Sequence, residues 1–435
     1  MHFLGFIPVH DMVTSQKKIS QSDQACKAMS IRTYACTSVS FILERIVAAG
    51  KDYQREDIGL REDLIELGRD LLAALEIPSE FLRRSFWSEP ALSAHCKLAV
   101  QLGLFQYLKD AGETGSSIDN LTQKTGVDTS LLQRIPHHLV SMKLLTFSNG
   151  KFLGTPLSDG LAAENFQKSI DFCYDVARPS FNCFPTFFKE MGYRIPNPGT
   201  NGPFQAAHGT ELPFFPWLGA TPPHLDEFDN FMSAYRAGKP NWYSVGFYPV
   251  AAYLIEGFDK DASETLLVDI GGGRGRDVQQ FIAEHKAHPG KIVLQDREPI
   301  IASVSNQDKL PFELQVYDFL TPQPIKAARA YSLHSTDEEG IKILENLRPA
   351  LKSGYSQVLL VEIVVSEEEP TIAETAADMM MLAHLAVRER TRVEWEGVLE
   401  KAGYRLVGFY NFPGVAESVI EAELREAPRV GKVLV

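Results

Sequence analysis

Clustered basic residues and paired cysteines are what this sequence has least of. Lys and Arg number 43 against 56 Asp and Glu, so the formal net charge is -13, and no basic stripe interrupts the acidic background. Because proteins that bind a phosphate backbone need a basic surface, we expect no nucleic-acid partner. The five cysteines are odd in number and have no C-x-x-C spacing, which favours a reducing compartment over a disulfide scaffold.

Long apolar runs are also absent. A membrane-spanning helix needs about 20 consecutive apolar residues, whereas the best run, "VLLVEIVV", has the length of a strand and contains Glu362. The opening "MHFLGFIPVHDM" has no basic region followed by a long apolar stretch, so no secretory signal peptide is predicted. The sequence therefore predicts a cytoplasmic protein without a membrane partner.

Four segments are predicted along the 435 residues, since one hydrophobic core seldom serves a chain of this length. They are a polar arm at 1–40, a helical and winged-helix dimerisation domain at 41–165, an aromatic-rich helical segment at 166–260 and a Rossmann-like domain at 261–435. Two helices followed by a hairpin at Asn149-Gly150 indicate the winged helix. In so acidic a chain, that module is expected to dimerise and not to bind DNA.

Strand and helix patterns alternate from Thr265 onward. Continuous apolar strands between helices predict an α/β fold, a mostly parallel doubly wound sheet that follows the all-helical and winged-helix part. Thr391 and Glu394 have the spacing of a capping box, and Gly403 marks the end of the same helix.

The stretch "VDIGGGRGRD" is the strongest sign of a ligand site. It places Gly271, Gly273 and Gly275 directly after a strand and before a helix, where missing side chains let a ligand approach the backbone. The spacing differs from the G-x-G-x-x-G of dinucleotide folds. Asp269 and Asp296 stand at the ends of two strands, where open α/β sheets bind ligands. Two acids without a lysine suit a cofactor with positive charge and no phosphate, which describes S-adenosylmethionine.

Further stretches strengthen that interpretation, namely "LLVDIGGGRG", "KIVLQDREPII", "YDFLTPQPIKAARAY", "LENLRPALKSGYSQVLLVEIVV" and "RERT". Together they resemble the fungal class I O-methyltransferases over about Ser88 to Leu424. The resemblance implies a homodimer that binds S-adenosylmethionine. The cofactor-binding residues predicted in this way are Asp269, Gly271, Gly273, Asp296, Arg297, Asp318 and Phe319, the last two beside the adenine.

One segment departs from the family pattern. Members of the family usually continue from the "ARAY" strand into R-H-x-L-H-D-W-P-D, whose second histidine is the general base and is held by two glutamates. Acids occupy both matching places here, Glu362 and Glu389, but the segment from Tyr331 to Ile343 is about five residues shorter. His334 is the remaining candidate base. A deletion of this size should displace it beyond the roughly 3 Å reach of proton transfer.

The shortened segment resembles the fungal methyltransferase-like pericyclases of pyridone and polyketide biosynthesis, the leporin and pyridoxatin types. That resemblance implies dehydration of an alcohol to a quinone methide, followed by an Alder-ene or hetero-Diels-Alder cyclisation in which the bound sulfonium is not consumed. A fixed charge in a dry pocket acts strongly on such a reaction. The sequence thus predicts a pericyclase of fungal secondary metabolism. The alternatives are a small-molecule O-methyltransferase and a catalytically silent partner protein.

Aromatic density in the third segment predicts either core or the wall of a large apolar pocket. The predicted pocket residues are Phe214, Phe215, Trp217, Phe231, Met232, Tyr235, Met379, Met380 and His384. Candidate catalytic residues are His137, His138, Arg297, His334, Ser335 and Thr336. A purely structural role is the alternative for several of these residues. The histidines would then lie at a dimer contact, Arg297 in a surface ion pair, and the methionines in the core. No metal site is expected.

Overall fold

The computed structural model describes residues 38–53, 58–198, 201–333 and 340–425. Its contacts divide the chain into two compact units, with the boundary between Pro78 and Ser79. The boundaries predicted at residues 40, 165 and 260 concern a finer division and stay predictions. Within the described ranges, no helix is long and apolar enough to cross a bilayer.

The described part of the first unit is a pair of helices, α1 (Val39–Asp52) and α2 (Ile58–Leu75). Helix α1 begins after Ser38, whose hydroxyl accepts a hydrogen bond from the backbone N–H of Phe41 at 3.3 Å and so caps the first turn. Ile42 and Leu67 are buried as the two helices pack together.

Helices dominate the second unit up to residue 260, which agrees with the predicted periodicity. Short 3₁₀ turns aside, its elements are α3 (Pro78–Arg83), a π turn (Arg84–Ser88), α4 (Glu89–Gln101), α5 (Leu104–Ala111), α6 (Ile118–Thr125), α7 (Thr129–Ser141), β1 (Leu145–Ser148), β2 (Lys151–Gly154), α8 (Pro156–Leu161), α9 (Glu164–Phe172), a π turn (Cys173–Ala177), α10 (Arg178–Glu190), α11 (Pro203–His208), α12 (Phe214–Ala220), α13 (His224–Ala234) and a π turn (Ala251–Ile255).

The two helices and the hairpin expected in the winged-helix region are present as α6, α7 and the antiparallel pair of β1 and β2. Asp128 caps α7 by accepting from the backbone N–H groups of Ser130 and Leu131. Asn149 and Gly150 both have positive φ, 50° and 74°, as the tight hairpin turn requires. The elements match the expectation, while the dimerisation role of this module stays a prediction.

The remaining elements form the predicted α/β part. They are β3 (Thr265–Ile270), α14 (Arg276–Glu284), β4 (Lys291–Asp296), α15 (Glu298–Ala302), β5 (Glu313–Val316), β6 (Ala330–Leu333), α16 (Gly340–Leu347), β7 (Gln357–Val365), α17 (Ile372–Leu385), β8 (Arg390–Thr391), α18 (Arg392–Lys401), β9 (Tyr404–Tyr410) and β10 (Glu417–Leu424). Side chains from both flanking helical layers, including Phe281 on one face and Leu344 on the other, fill the two cores against the sheet.

The sheet confirms the predicted fold class. Its strand order is β5-β4-β3-β6-β7-β10-β9, with β8 beside β7. Strands β3 to β7 run parallel, and β9 and β10 are antiparallel to their neighbours. From β3 the strands are added first on one side, as β4 and β5, and then on the other side, as β6 and β7. Ligands of open α/β sheets bind at such a topological switch point, here between β3 and β6. Because β10 is antiparallel, it starts at the edge where β3, β4 and β7 end. We call this side the carboxyl edge.

Candidate cofactor and substrate site

The glycine turn follows β3 at the switch point. Gly271, Gly273 and Gly275 all have positive φ, 75°, 61° and 77°, which residues with side chains rarely adopt. A Cβ on Gly272 would collide with the carboxylate of Asp269, whereas a Cβ on Gly273 would meet no atom of the described residues within 4 Å. The turn is therefore packed against the sheet at Gly272 and open at Gly273.

Two acids frame this turn. Asp296, at the end of β4, accepts hydrogen bonds from the backbone N–H of Gly273 at 2.9 Å and from that of Arg297 at 2.7 Å. Asp269, at the end of β3, is buried and accepts from the Ser332 hydroxyl at 2.7 Å across the strand pair. Because each carboxylate oxygen can accept two hydrogen bonds, Asp296 keeps capacity for ligand hydroxyls while its position is fixed.

The segment predicted to contact adenine lies beyond β5. Asp318 is exposed and accepts a hydrogen bond from the backbone N–H of Leu320 at 2.9 Å, and Phe319 is half-buried against the core. Gln295 and Gln323 are buried and exchange amide hydrogen bonds of 2.9 and 2.8 Å, which ties the end of β4 to this loop. Sequence reasoning missed this amide pair. Its one signal was a glutamine inside the apolar strand "KIVLQD".

The aromatic segment packs into one cluster, which we call the aromatic cluster. Its members and the partly buried side chains around it are Phe172, Val176, Ala177, Phe204, Phe214 and Leu218, with Phe181, Trp217, Phe228, Phe231, Met380 and Leu385. Four of the nine predicted pocket residues belong to it, and the His384 ring lies 5.0 Å from that of Phe214. The other four are more exposed and lie outside its buried part: Phe215, Met232, Tyr235 and Met379. Their assignment to a substrate pocket stays a prediction.

A π turn shapes this cluster. Cys173–Ala177 interrupts the helical run from α9 to α10, and the carbonyl of Val176 there accepts a hydrogen bond from Nε2 of His208 at 3.0 Å. A π turn breaks the regular ladder of helix hydrogen bonds. The hydrogen bond from His208 joins α11 to the middle of the helical run from α9 to α10.

Tyr235 joins the aromatic segment to the carboxyl edge. Its hydroxyl donates to Glu417 at the start of β10 over 2.6 Å. The neighbouring Arg236 lies 3.4 Å from the same carboxylate and 3.7 Å from Asp277, in the first turn of the helix after the glycine turn. These contacts fix the end of α13 relative to the carboxyl edge of the sheet.

We predict that Tyr235→Phe lowers the free energy of unfolding by about 1.5 kcal/mol, because it removes a hydrogen bond to a buried carboxylate. Urea denaturation measures the change. Tyr193→Phe is the matched control, since Tyr193 is 78% exposed and its loss should cost under about 0.5 kcal/mol. Equal effects of the two substitutions would contradict this account of the junction.

Two buried glutamates lie at the carboxyl edge, as the family resemblance implies. Glu362 is on β7, and Glu389 precedes β8, which pairs with the end of β7. The backbone N–H of Glu389 donates to Asp378 at 2.8 Å. Burial, together with the nearby carboxylate of Asp378, raises the pKa of Glu389 to about 7. Glu389 is therefore a carboxyl group that exchanges a proton near neutral pH.

The three candidate catalytic residues that the structure describes lie in two different regions. His137 bonds the carbonyl of Gln133 at 2.6 Å, and His138 bonds His95 at 2.9 Å, both within the helical region. Arg297 is exposed beside Asp296. His334, Ser335 and Thr336 lie outside the described residues. The catalytic roles given to all six stay predictions.

Comparison with known proteins identifies relatives across most of the chain. The O-methyltransferase domain family matches residues 250–405. An O-methyltransferase, mpaG of Penicillium roqueforti, is 54% identical over 393 residues, covering 89% of this chain and 99% of its own. Its counterpart from Penicillium brevicompactum is 52% identical over 396 residues, covering 90% of this chain and all of its own length.

Solved structures show the same fold. A pericyclic reaction enzyme is 24% identical with a TM-score of 0.77, and the alignment covers 89% of this chain and 99% of that one. OxaC in complex with SAH and oxaline is 22% identical with a TM-score of 0.71 and the same coverage. At such low identity these likenesses show the fold alone.

Proposed function

The chain belongs to the O-methyltransferase family, and we infer that it binds S-adenosylmethionine and methylates a hydroxyl group of a small aromatic molecule. The observation that carries this inference is the carboxyl edge of the sheet. There an open glycine turn, a backbone-anchored acid and two buried glutamates stand together at the strand ends. Relatives more than half identical over nearly their whole length are named O-methyltransferases, which supports methyl transfer over the pericyclic reaction that the shortened segment favours.

The residues around the glycine turn fit the cofactor. The backbone of Gly273 has free space on the side where a Cβ would stand, so a ligand can approach it closely. Asp296 would accept hydrogen bonds from the two ribose hydroxyls, and the buried carboxylate of Asp269 would face the positively charged methionine part. When bound, the cofactor supplies an electrophilic methyl group on a cationic sulfur. Asp318 and Phe319 would contact the adenine.

Proton removal is the task left to the protein. A hydroxyl group becomes a competent nucleophile as a nearby base takes its proton, and the effective base has a pKa near the working pH. Glu389, with its pKa of about 7, is available as an acceptor. His334 is the candidate imidazole that the family resemblance implies, and Glu362 and Glu389 would orient it. In both arrangements the glutamates at the end of β7 take part in removing the proton.

Labelled methyl transfer tests the proposal. Purified protein incubated with S-adenosylmethionine labelled in the methyl group and a panel of small phenols should give a labelled ether and one equivalent of S-adenosylhomocysteine. Asp296→Ala is expected to lower kcat/KM at least about a hundredfold at limiting cofactor, or about 2.7 kcal/mol. Label transfer at the same rate by the variant would refute the assigned cofactor site.

The pericyclase remains the second candidate, and one sequence feature favours it. The segment between Tyr331 and Ile343 is about five residues shorter than the family pattern and has no Asp-Trp after a histidine. A cationic cofactor beside the substrate would then act by its charge. Under this alternative a dehydratable pyridone alcohol should give one cyclised isomer, and S-adenosylmethionine should be recovered intact.

We also propose a homodimer, supported by an exposed apolar strip on α3 and the π turn after it. Phe81, Leu82, Phe86 and Trp87 form the strip, and Phe86 and Trp87 are 65% and 71% exposed. Adjacent apolar side chains at this exposure usually mark an interface.

The double substitution Phe86→Glu and Trp87→Glu is predicted to shift the protein from dimer to monomer, because it buries two charges in the interface. Sedimentation velocity gives the mass directly. Val245→Glu is the control, since Val245 is 93% exposed elsewhere on the surface. A dimer that survives the double substitution would contradict the assignment of this strip.

A further inference from the structure

The imidazole of His384 is the buried polar group that the proposed chemistry leaves unused. It lies on α17 and is 5% exposed. Its Nδ1 is 2.8 Å from the carbonyl of Met380 one turn earlier. Because a carbonyl only accepts, Nδ1 carries the proton and Nε2 presents a lone pair. That Nε2 is buried and has no hydrogen-bond partner within the part of the chain that the structure describes.

Aromatic rings surround this imidazole. The ring centroids of Phe214, Phe204, Phe172 and Phe181 lie 5.0, 6.1, 6.2 and 6.3 Å from that of His384. These side chains carry no N–H or O–H group. The imidazole of His208 also lies in this region, beside Phe204, but its Nε2 is already bonded to the Val176 carbonyl. Among the described residues, none of these neighbours donates a hydrogen bond to the lone pair of His384.

Such an arrangement has a cost and a chemical preference. A buried acceptor without a partner costs about 1–3 kcal/mol, and in native structures this cost usually has a reason. Burial lowers the pKa of His384 to about 4, so the ring is neutral at physiological pH and accepts hydrogen bonds at Nε2. A neutral acceptor in a dry aromatic surrounding selects a neutral donor on an aromatic ligand. A phenolic hydroxyl is that kind of donor.

The position of His384 on α17 indicates which hydroxyl of an aromatic ligand it would bind. Asp378, on the same helix, accepts from the backbone of Glu389 at the carboxyl edge. His384 is six residues further along α17, a distance of about 9 Å along the helix axis. A hydroxyl held at His384 would therefore lie away from the carboxyl edge, where the proposed function puts the reacting oxygen. The neighbouring methionines Met379 and Met380 are flexible side chains that can rearrange to admit a ring.

We propose that Nε2 of His384 accepts a hydrogen bond from a second, non-reacting phenolic hydroxyl of the aromatic substrate and so selects substrates that carry one. This inference rests on the proposed function, because it takes the aromatic cluster as the substrate site of a methyltransferase. His384 is a specificity-determining residue in this account. It does not contact the reacting atoms.

Binding of a matched pair of probes tests the proposal. We would measure Kd for 2,7-dihydroxynaphthalene, which carries a second hydroxyl, and for 2-naphthol, which lacks it, in the presence of S-adenosylhomocysteine. In His384→Phe, which keeps an aromatic ring but has no acceptor, the ratio of the two Kd values should shift by about tenfold against 2,7-dihydroxynaphthalene. His384→Gln, which restores an acceptor, should recover part of the preference.

Met380→Leu is the matched control from the same helix and cluster. It changes shape without changing donors or acceptors, so both probes should weaken equally and the ratio should stay within about twofold of wild type. Should His384→Phe fail to fold, as judged by its melting curve, His384→Leu supplies a second variant without an acceptor.

An unchanged ratio in the folded variants would overturn the proposal, as would equal affinity of the wild type for the two probes. The test also separates this inference from methyl transfer. Labelled methyl transfer together with an unchanged ratio leaves the methyltransferase standing and removes the role of His384. A shifted ratio without any methyl transfer keeps the binding role and removes the methyltransferase.

Discussion

Gly273→Ala is expected to lower the affinity for S-adenosylhomocysteine at least about a hundredfold, or about 2.7 kcal/mol, while the chain stays folded. The Cβ would have no atom of the described residues within 4 Å, so we expect the folded chain to accommodate it. The positive φ of 61° adds a strain of about 1 kcal/mol. The lost affinity reflects a ligand that can no longer approach the backbone. Isothermal titration calorimetry measures it.

Two other glycines supply the controls. Gly126 ends α6 with φ of 68° and also has nothing within 4 Å of its Cβ position, so Gly126→Ala should carry similar strain without loss of affinity. Gly272→Ala would press on Asp269 and Leu294 and should lower the melting temperature by several degrees. If Gly273→Ala binds the ligand as well as Gly126→Ala does, the glycine turn is not the cofactor site.

Glu389→Gln should stabilise the ligand-free protein at alkaline pH. The folded chain raises the pKa of Glu389 from 4.5 to about 7, so ionisation costs more in the folded state than in the unfolded state. The contribution of the neutral Glu389 carboxyl to the free energy of unfolding is fully present below the unfolded pKa. It is lost as the pH rises from about 4.5 through 7. At 1.36 kcal/mol per pKa unit, the wild type loses about 3 kcal/mol across that range. The glutamine variant, which does not ionise, loses none of it.

Urea denaturation at pH 4.5 and at pH 8 measures this difference. The gain from Glu389→Gln should be near zero at the lower pH and a few kcal/mol at the higher one. Glu345→Gln, on the exposed side of α16, is the control and should change stability by under about 0.5 kcal/mol at both. A gain that is the same at both pH values would show that burial does not perturb Glu389.

Local signals in the sequence predicted the elements well. The turn at Asn149 and Gly150, the capping box at Thr391 and the glycines after β3 each depend on residues close together in the chain, whose backbone preferences act over one turn. The structure has all three. The mostly parallel sheet followed from continuous apolar strands between helices.

Contacts between distant segments were not predictable in this way. The hydrogen bond from Tyr235 to Glu417 joins residues 182 positions apart, and the pair of Gln295 and Gln323 spans 28. Hydrophobic periodicity and turn preferences do not predict such contacts, because these contacts depend on how helices and strands pack in the folded protein. The π turn that presents the Val176 carbonyl to His208 belongs to the same class. These contacts position the site.

Methyl transfer and pericyclic catalysis are two chemistries that one fold can support. The shortened segment favours a pericyclase, whereas relatives with 52% to 54% identity carry methyltransferase names. Both alternatives use the same glycine turn. They differ in whether a protein base lies within hydrogen-bond distance of a substrate hydroxyl beside the methyl group.

A crystal structure with S-adenosylhomocysteine and a phenolic ligand decides that question most directly. We predict that the ribose hydroxyls contact Asp296 and that the ligand hydroxyl lies near the cofactor sulfur, within about 3 Å of an imidazole or carboxylate at the end of β7. A ligand bound beside the sulfur with only apolar side chains in reach of its oxygen would contradict methyl transfer.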